Sequence, residues 1–174
     1  VFPIPDNIAE GDRTITLTVS NRTTYTIGNP SSATILLHDK PFDAWRFAHF
    51  TASELANAAI SGDTADPDVD GIVNLLEYAF NLDPKIASGA GLPTQSLDQN
   101  HLALTFRVNK SAIDLTYIVQ VSSDLVTWNS GPSYTSAPVV LADDGSTQTV
   151  KVSDLTLVTG ANRRFMRLRI VRAL

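Results

Sequence analysis

Apolar and polar positions alternate strictly over Thr14-Ile15-Thr16-Leu17-Thr18-Val19. A strand with that period has Ile15, Leu17 and Val19 on one face and threonines on the other. A turn-rich stretch from Asn21 to Pro30 surrounds Tyr25-Thr26-Ile27, and Ala33-Thr34-Ile35-Leu36-Leu37 reads as a second strand. Beyond Pro41 the period changes. Asp43-Ala44-Trp45-Arg46-Phe47 can start a short helix, and Thr51-Ala52-Ser53-Glu54 has the spacing of a capping box. Leu55, Ala58 and Ala59 then make a narrow apolar stripe, and Ile72, Leu75, Leu76, Ala79 and Phe80 a wider one that Pro84 should end. Two short helices joined by a loop would bury these stripes together, with Trp45 or Phe47 completing the cluster.

Ser88-Gly89-Ala90-Gly91-Leu92-Pro93 breaks the pattern and reads as a linker. After it the two-residue period returns, with Leu102, Leu104, Phe106 and Val108 on the inner face of one strand. Further strands are expected over 115–121, 126–128, 147–152 and 165–171, with turns at Asp143-Asp144-Gly145 and Thr159-Gly160-Ala161-Asn162. The last strand carries Met166, Leu168 and Ile170 on one face, and Phe165, Arg167, Arg169 and Val171 on the other. The expected fold is mainly β with a small helical hairpin: a partial β-sandwich over 1–40, helix–loop–helix over 41–87, and an antiparallel β-sandwich over 94–174.

The loop of that hairpin carries the chemistry. Asp66-Pro67-Asp68-Val69-Asp70-Gly71-Ile72-Val73-Asn74-Leu75-Leu76-Glu77 places carboxylates at positions one, three, five and twelve of an EF-hand loop and glycine at six. Calcium takes six to eight hard oxygens at about 2.3–2.6 Å, so the acids must converge without collapsing on one another. Asp66, Asp68 and Asp70 would supply three, the Ile72 carbonyl a fourth, Asn74 another directly or through water, and Glu77 would close the shell with two. Magnesium prefers fewer protein ligands and keeps its waters, which favours Ca2+.

Composition narrows the function without choosing it. The 174 residues are 43% hydrophobic and 18% charged, within the range of globular chains rather than disordered ones. The net charge of −5 is unevenly spread. Residues 1–87 hold 12 acids and 5 bases (net −7), and residues 88–174 hold 6 acids and 8 bases (net +2), a balance that does not favour nucleic acid as a partner. The absence of cysteine excludes a disulfide scaffold and a thiolate metal site. No apolar run approaches the roughly 20 residues of a membrane helix, so membrane insertion is not expected. Val1-Phe2-Pro3-Ile4-Pro5 lacks a signal-peptide charge pattern and reads as the middle of a longer chain.

Two resemblances extend this reading. Asp6-Asn7…Glu10-Gly11-Asp12, the alternating strand, Tyr25…Gly28 and a last strand ending His38-Asp39 resemble the C-terminal half of a Calx-beta module. That family consists of calcium-binding antiparallel β-sandwiches of extracellular and adhesion proteins. Glu10 and Asp39 match its ligand positions, which implies a possible second calcium site, although the first half of the module is missing. The unit Asp66–Pro84 is similar to the single EF-hand or dockerin-like calcium loops near the C-termini of large secreted proteins of Verrucomicrobia and Planctomycetes. Dockerins carry two such loops, and this chain has no second Asp-x-Asp-x-Asp-Gly, which argues against cohesin binding. Tyr117…Gln120-Val121-Ser122-Ser123-Asp124-Leu125…Trp128, with the closing Arg164-Phe165-Met166-Arg167-Leu168, resembles the C-terminal domains of those same proteins.

Other chemistry finds little support. His38, His49 and His101 lack ligand-spaced partners, and there is no nucleophile elbow, zinc-protease helix or phosphate-cradling loop, so no enzyme is expected. Trp45, Trp128 and Tyr117 could stack on sugars, but aromatics at such spacing usually belong to the core. Arginines 163, 164, 167, 169 and 172 read as a solvated face paired with acids elsewhere. Asn21-Arg22-Thr23 and Asn109-Lys110-Ser111 are formal glycosylation acceptors. The expectation is a non-enzymatic, calcium-stabilised structural or adhesive segment of a large secreted or cell-surface protein. Its partners would be the rest of a parent chain, copies of itself, or a glycan or other cell-surface component. The alternatives are a polysaccharide-binding module of a secreted hydrolase and a subunit of an extracellular filament built by strand donation, with the Val1–Pro5 arm as donor.

Overall fold

A computed structural model describes residues 8–158 and 163–173. The Val1–Pro5 arm, Asp6-Asn7 and the expected turn at 159–162 lie outside the described residues. The chain is mainly β, with antiparallel sheets and a smaller helical part.

Strands β1 (Arg13–Thr18) and β2 (Ser32–Leu37) form an antiparallel pair in which Ile15 faces Ile35 and Leu17 faces Ala33. The alternation that makes them strands also gathers Ile15, Leu17, Ala33, Ile35 and Leu37 on one face. Little covers that face: Leu17 is 53% exposed, Val19 54% and Ile35 44%. The turn-rich stretch between β1 and β2 holds a single bridge, between Arg22 and Tyr25.

Helix α1 (Pro41–His49) starts on proline, whose missing N–H costs nothing at a helix N-terminus. Asp43 in its first turn and Arg46 and His49 in its last complement the helix dipole. The capping box forms as its spacing suggests. Glu54 N–H reaches Thr51 Oγ1 at 3.4 Å, and Thr51 N–H reaches Glu54 Oε2 at 2.7 Å. Helix α2 (Ala52–Leu55) nevertheless ends after one turn, because Asn57 caps a separate turn, α3 (Ala58–Ser61), by accepting from Ala59 N–H. This break rotates the expected stripe: Leu55 and Ile60 pack inward while Ala58 and Ala59 face solvent. Trp45 joins the cluster with Phe42, Phe50, Tyr78 and Ala112, whereas Phe47 is half exposed. Helix α4 (Asn74–Phe80) stops at Asn81, three residues before Pro84. Asn81 takes the left-handed conformation (φ 55°), and Leu82 N–H closes on the Glu77 carbonyl at 2.8 Å.

The C-terminal half builds two sheets. One has the order β3 (Thr94–Asp98), β4 (His101–Asn109), β7 (Thr147–Leu157), β6 (Val139–Asp143), and the other pairs β5 (Leu115–Ser122) with β8 (Phe165–Arg172). Leu104, Phe106, Val150 and Val152 from the first sheet and Val119 from the second form one core cluster, joined by Val108, Tyr117, Met166 and Leu168. Strands β3 and β6 are edge strands with mostly exposed residues, so neither shows the alternation that marked the central strands. The expected strand at 126–128 is instead a turn held by Asp124, whose carboxylate accepts from the N–H groups of Val126 and Thr127. Only Asn129 bridges back, to Val121.

The helical segment and the C-terminal sheets are packed together. Ala112 belongs to the aromatic cluster of the helices, and Leu115 packs against it. The Tyr78 hydroxyl donates to Asp114 Oδ1 at 2.6 Å, and the Tyr117 hydroxyl donates to the Ala79 carbonyl at 2.6 Å. Asn109 is buried and its Nδ2 donates to the Tyr78 carbonyl at 2.8 Å, so this formal glycosylation acceptor already has an internal partner.

Candidate metal centre

The loop between α3 and α4 is closed at its base by two backbone bonds, Asn74 N–H to the Ala65 carbonyl (2.8 Å) and Leu75 N–H to the Asp63 carbonyl (3.0 Å). Its turn needs positive φ at Gly71 (88°) and at Val69 (62°). At Gly71 this conformation is free of the clash a side chain would bring.

Within the turn, carboxylate oxygens of Asp66, Asp68 and Asp70 lie within 4.8 Å of one another. They are held by backbone donors of the same turn. Asp66 accepts from Gly71 N–H at 2.9 Å and from Asp70 N–H at 3.2 Å, and Asp70 Oδ1 accepts from Ile72 N–H at 2.8 Å. Asp70 Oδ2 accepts from Ser88 N–H at 2.9 Å, which ties the loop to the chain beyond α4.

Glu77 comes from the first turn of α4 and is 1% exposed. Burial pushes its carboxyl up to about 8, and the negative charges of Asp68, Asp70 and Asp66 push in the same direction. Asp68 is raised as well, by desolvation first and then by Asp70. Glu77 therefore feels the charge of the three aspartates whose carboxylate oxygens converge in the turn.

Unmet hydrogen-bonding capacity converges on the same place. Five buried side-chain polar atoms have no hydrogen-bond partner among the described residues, and three of them are Asp68 Oδ2, Asn74 Oδ1 and Glu77 Oε2. The other two, Trp45 Nε1 and His101 Nδ1, lie elsewhere. Leaving such oxygens unmet is costly, of order 1–3 kcal/mol each, and a cation relieves that cost. Asn74 uses its Nδ2 to hold the carbonyls of Ile60 and Gly62 at 2.9 and 2.8 Å, which leaves its oxygen free as a ligand. The N–H groups of Leu76 and Glu77 both go to the Val73 carbonyl, so the helix does not engage the Ile72 carbonyl that EF-hand spacing nominates. All these donors are oxygens, the set that hard divalent cations take.

The other sequence candidates fall in different surroundings. Asp39 Oδ2 accepts from the N–H groups of Glu10 and Gly11 at 2.9 and 2.8 Å, while Glu10 pairs with Arg13, so both acids have protein partners. Trp45 is buried and stacked on Phe42 at 5.5 Å. One face of Trp128 is covered by the Arg167 guanidinium at 4.0 Å. Tyr117 stacks on Phe106 and spends its hydroxyl on Ala79. Arg164 makes two bonds to buried Asp154, and Arg172 pairs with Asp63 at 2.7 Å and covers Phe42. No described helix is long and apolar enough to cross a membrane.

Sequence reasoning missed the second layer of the site. Asn74 amide bonding to Ile60 and Gly62, and the Ser88 tie to Asp70, depend on backbone groups that carry no signal in residue type. Comparison of the chain with protein families, with curated proteins and with solved structures gives no match.

Proposed function

We propose that this chain is a non-enzymatic, calcium-stabilised structural segment of a larger secreted or cell-surface protein. One observation carries the metal reading: three buried oxygens without partners, on Asp68, Asn74 and Glu77, adjoin a cluster of converging carboxylates. Asp66, Asp68, Asp70 and Glu77, with the Ile72 carbonyl and the Asn74 amide oxygen, are the residues that would hold the ion. Calcium would supply positive charge where the chain has gathered only negative, and no chemistry beyond that. The two C-terminal sheets, which share one core, support reading that half as an antiparallel sandwich. The resemblance of residues 6–39 to half a Calx-beta module supports an extracellular, adhesive setting.

Calcium titration with calorimetry and thermal melting tests this. Extracellular sites of this kind bind with Kd of about 10⁻⁴–10⁻³ M. At ten times Kd the ion stabilises the fold by about 1.4 kcal/mol. Chelator should lower the Tm, and Asp70→Ala should remove most of that response. No binding heat, together with a melt indifferent to chelator, would overturn the assignment.

A further inference from the structure

We infer that the ion in the 66–77 loop clamps the joint between the helical segment and the C-terminal sheets, so that occupancy of the loop sets how firmly the two are held. The inference rests on the metal reading above. A single short helix performs both tasks. Glu77 faces the acidic loop, and the next two residues carry the joint. Tyr78 donates to Asp114 and accepts from Asn109, and Ala79 accepts from Tyr117, all at 2.6–2.8 Å. Neighbouring residues on a helix point about 100° apart, so one turn can serve two neighbours at once.

Helix α4 has only seven residues, and isolated helices below about 12–15 residues are marginal in water. Its position is therefore set by what it is fastened to. On one side that is the acidic loop, which in turn holds Ser88 through Asp70 Oδ2 and lies next to Asp63, the partner of Arg172. On the other side it is the end of β4 and the start of β5. Without an ion, the three converging aspartates repel, and the loop relieves this by opening. The opening moves Glu77, and Tyr78 and Ala79, the next two residues of the same helix, move with it. With the ion bound, Glu77 is anchored and the joint closes on Asn109, Asp114 and Tyr117.

Hydrogen–deuterium exchange on the full chain, in about 10 mM calcium against chelator, reads this directly. Calcium should slow exchange over residues 63–80 and also over residues 109–119, while the edge strands β3 and β6 stay unchanged. Bound calcium with protection confined to 63–80 would overturn the clamp. Absence of calcium binding would instead overturn the metal reading itself. Coupling is reciprocal, so Tyr78→Phe, which removes the bond to Asp114, should weaken calcium binding by about fivefold. An unchanged affinity in that variant also overturns the inference.

Discussion

Glu77 sits almost wholly out of solvent beside three aspartates, and its carboxyl is pushed up to about 8 from an ordinary value of 4.5. A carboxyl raised in the folded state binds its proton more tightly there than in the unfolded chain. Stability of the metal-free protein therefore falls as pH rises from about 4.5 to about 8. In chelator, the Tm should drop across that window, reflecting a loss on the order of 2–4 kcal/mol. Calcium should flatten the trend, since the ion takes the place of the proton. Glu77→Gln should remove most of the slope together with the calcium response, and should melt above the parent chain in chelator at pH 8. A slope that survives in Glu77→Gln would place its origin elsewhere. Glu54, Asp124 and Asp143 act in the opposite sense at lower pH. Hydrogen bonds from Lys85 and Thr51 to Glu54, from Thr127, Val126 and Ser122 to Asp124, and from Gln148, Gly145 and Lys110 to Asp143 hold these carboxyls down at about 2. Their contribution is present above the ordinary carboxylate range and is lost as pH falls toward 2. The aspartate spacing and Gly71 were legible in the sequence because ligands and turn lie within twelve residues. The burial of Glu77 was not, since it depends on where α4 is seated.

Among the elements, the helices show where pattern reading succeeds and where it stops. The capping box at Thr51–Glu54 was readable because both partners are local. The break at Asn57 was not, because Asn57 competes locally with continuation of the helix by capping a turn of its own. Strands β4, β5, β7 and β8 were legible from alternation, whereas edge strands β3 and β6 lack a buried face that would impose it. Phe42 is the element-scale keystone of the helices. It stacks on Trp45, meets Tyr78 edge-on at 5.2 Å and lies under the Arg172 guanidinium at 4.4 Å. Phe42→Ala should cost about 3–5 kcal/mol. For a chain of this size that lowers the Tm by on the order of 10 °C. A thermal melt followed by near-ultraviolet circular dichroism, which reports Trp45 and Tyr78, checks this. A shift under about 2 °C would show that the cluster contributes little.

At the scale of the whole molecule, the β1–β2 pair belongs to neither buried cluster. The aromatic cluster and the sheet cluster enclose their apolar groups, while Leu17, Val19 and Ile35 present theirs to solvent. A two-stranded pair is marginal alone, so this face gains from any surface that covers it. In the chain alone, Leu17→Thr with Ile35→Thr should leave stability within about 0.5 kcal/mol, because little burial is lost. The same pair of changes should lower self-association measured by analytical ultracentrifugation. A large drop in Tm would show that the face is already covered within the chain.

The internal bond of Asn109 bears on how the protein can be made. The nitrogen that a sugar chain would occupy at Asn109-Lys110-Ser111 is the one that grips the Tyr78 carbonyl. In a eukaryotic secretory host, oligosaccharide added during translocation reaches this residue before the chain has folded. A glycan there bars α4 from its seat, so the modified fraction is misassembled rather than decorated. Ser111→Ala removes the acceptor signal on an exposed side chain and leaves the Asn109 amide, and the contact it makes, in place.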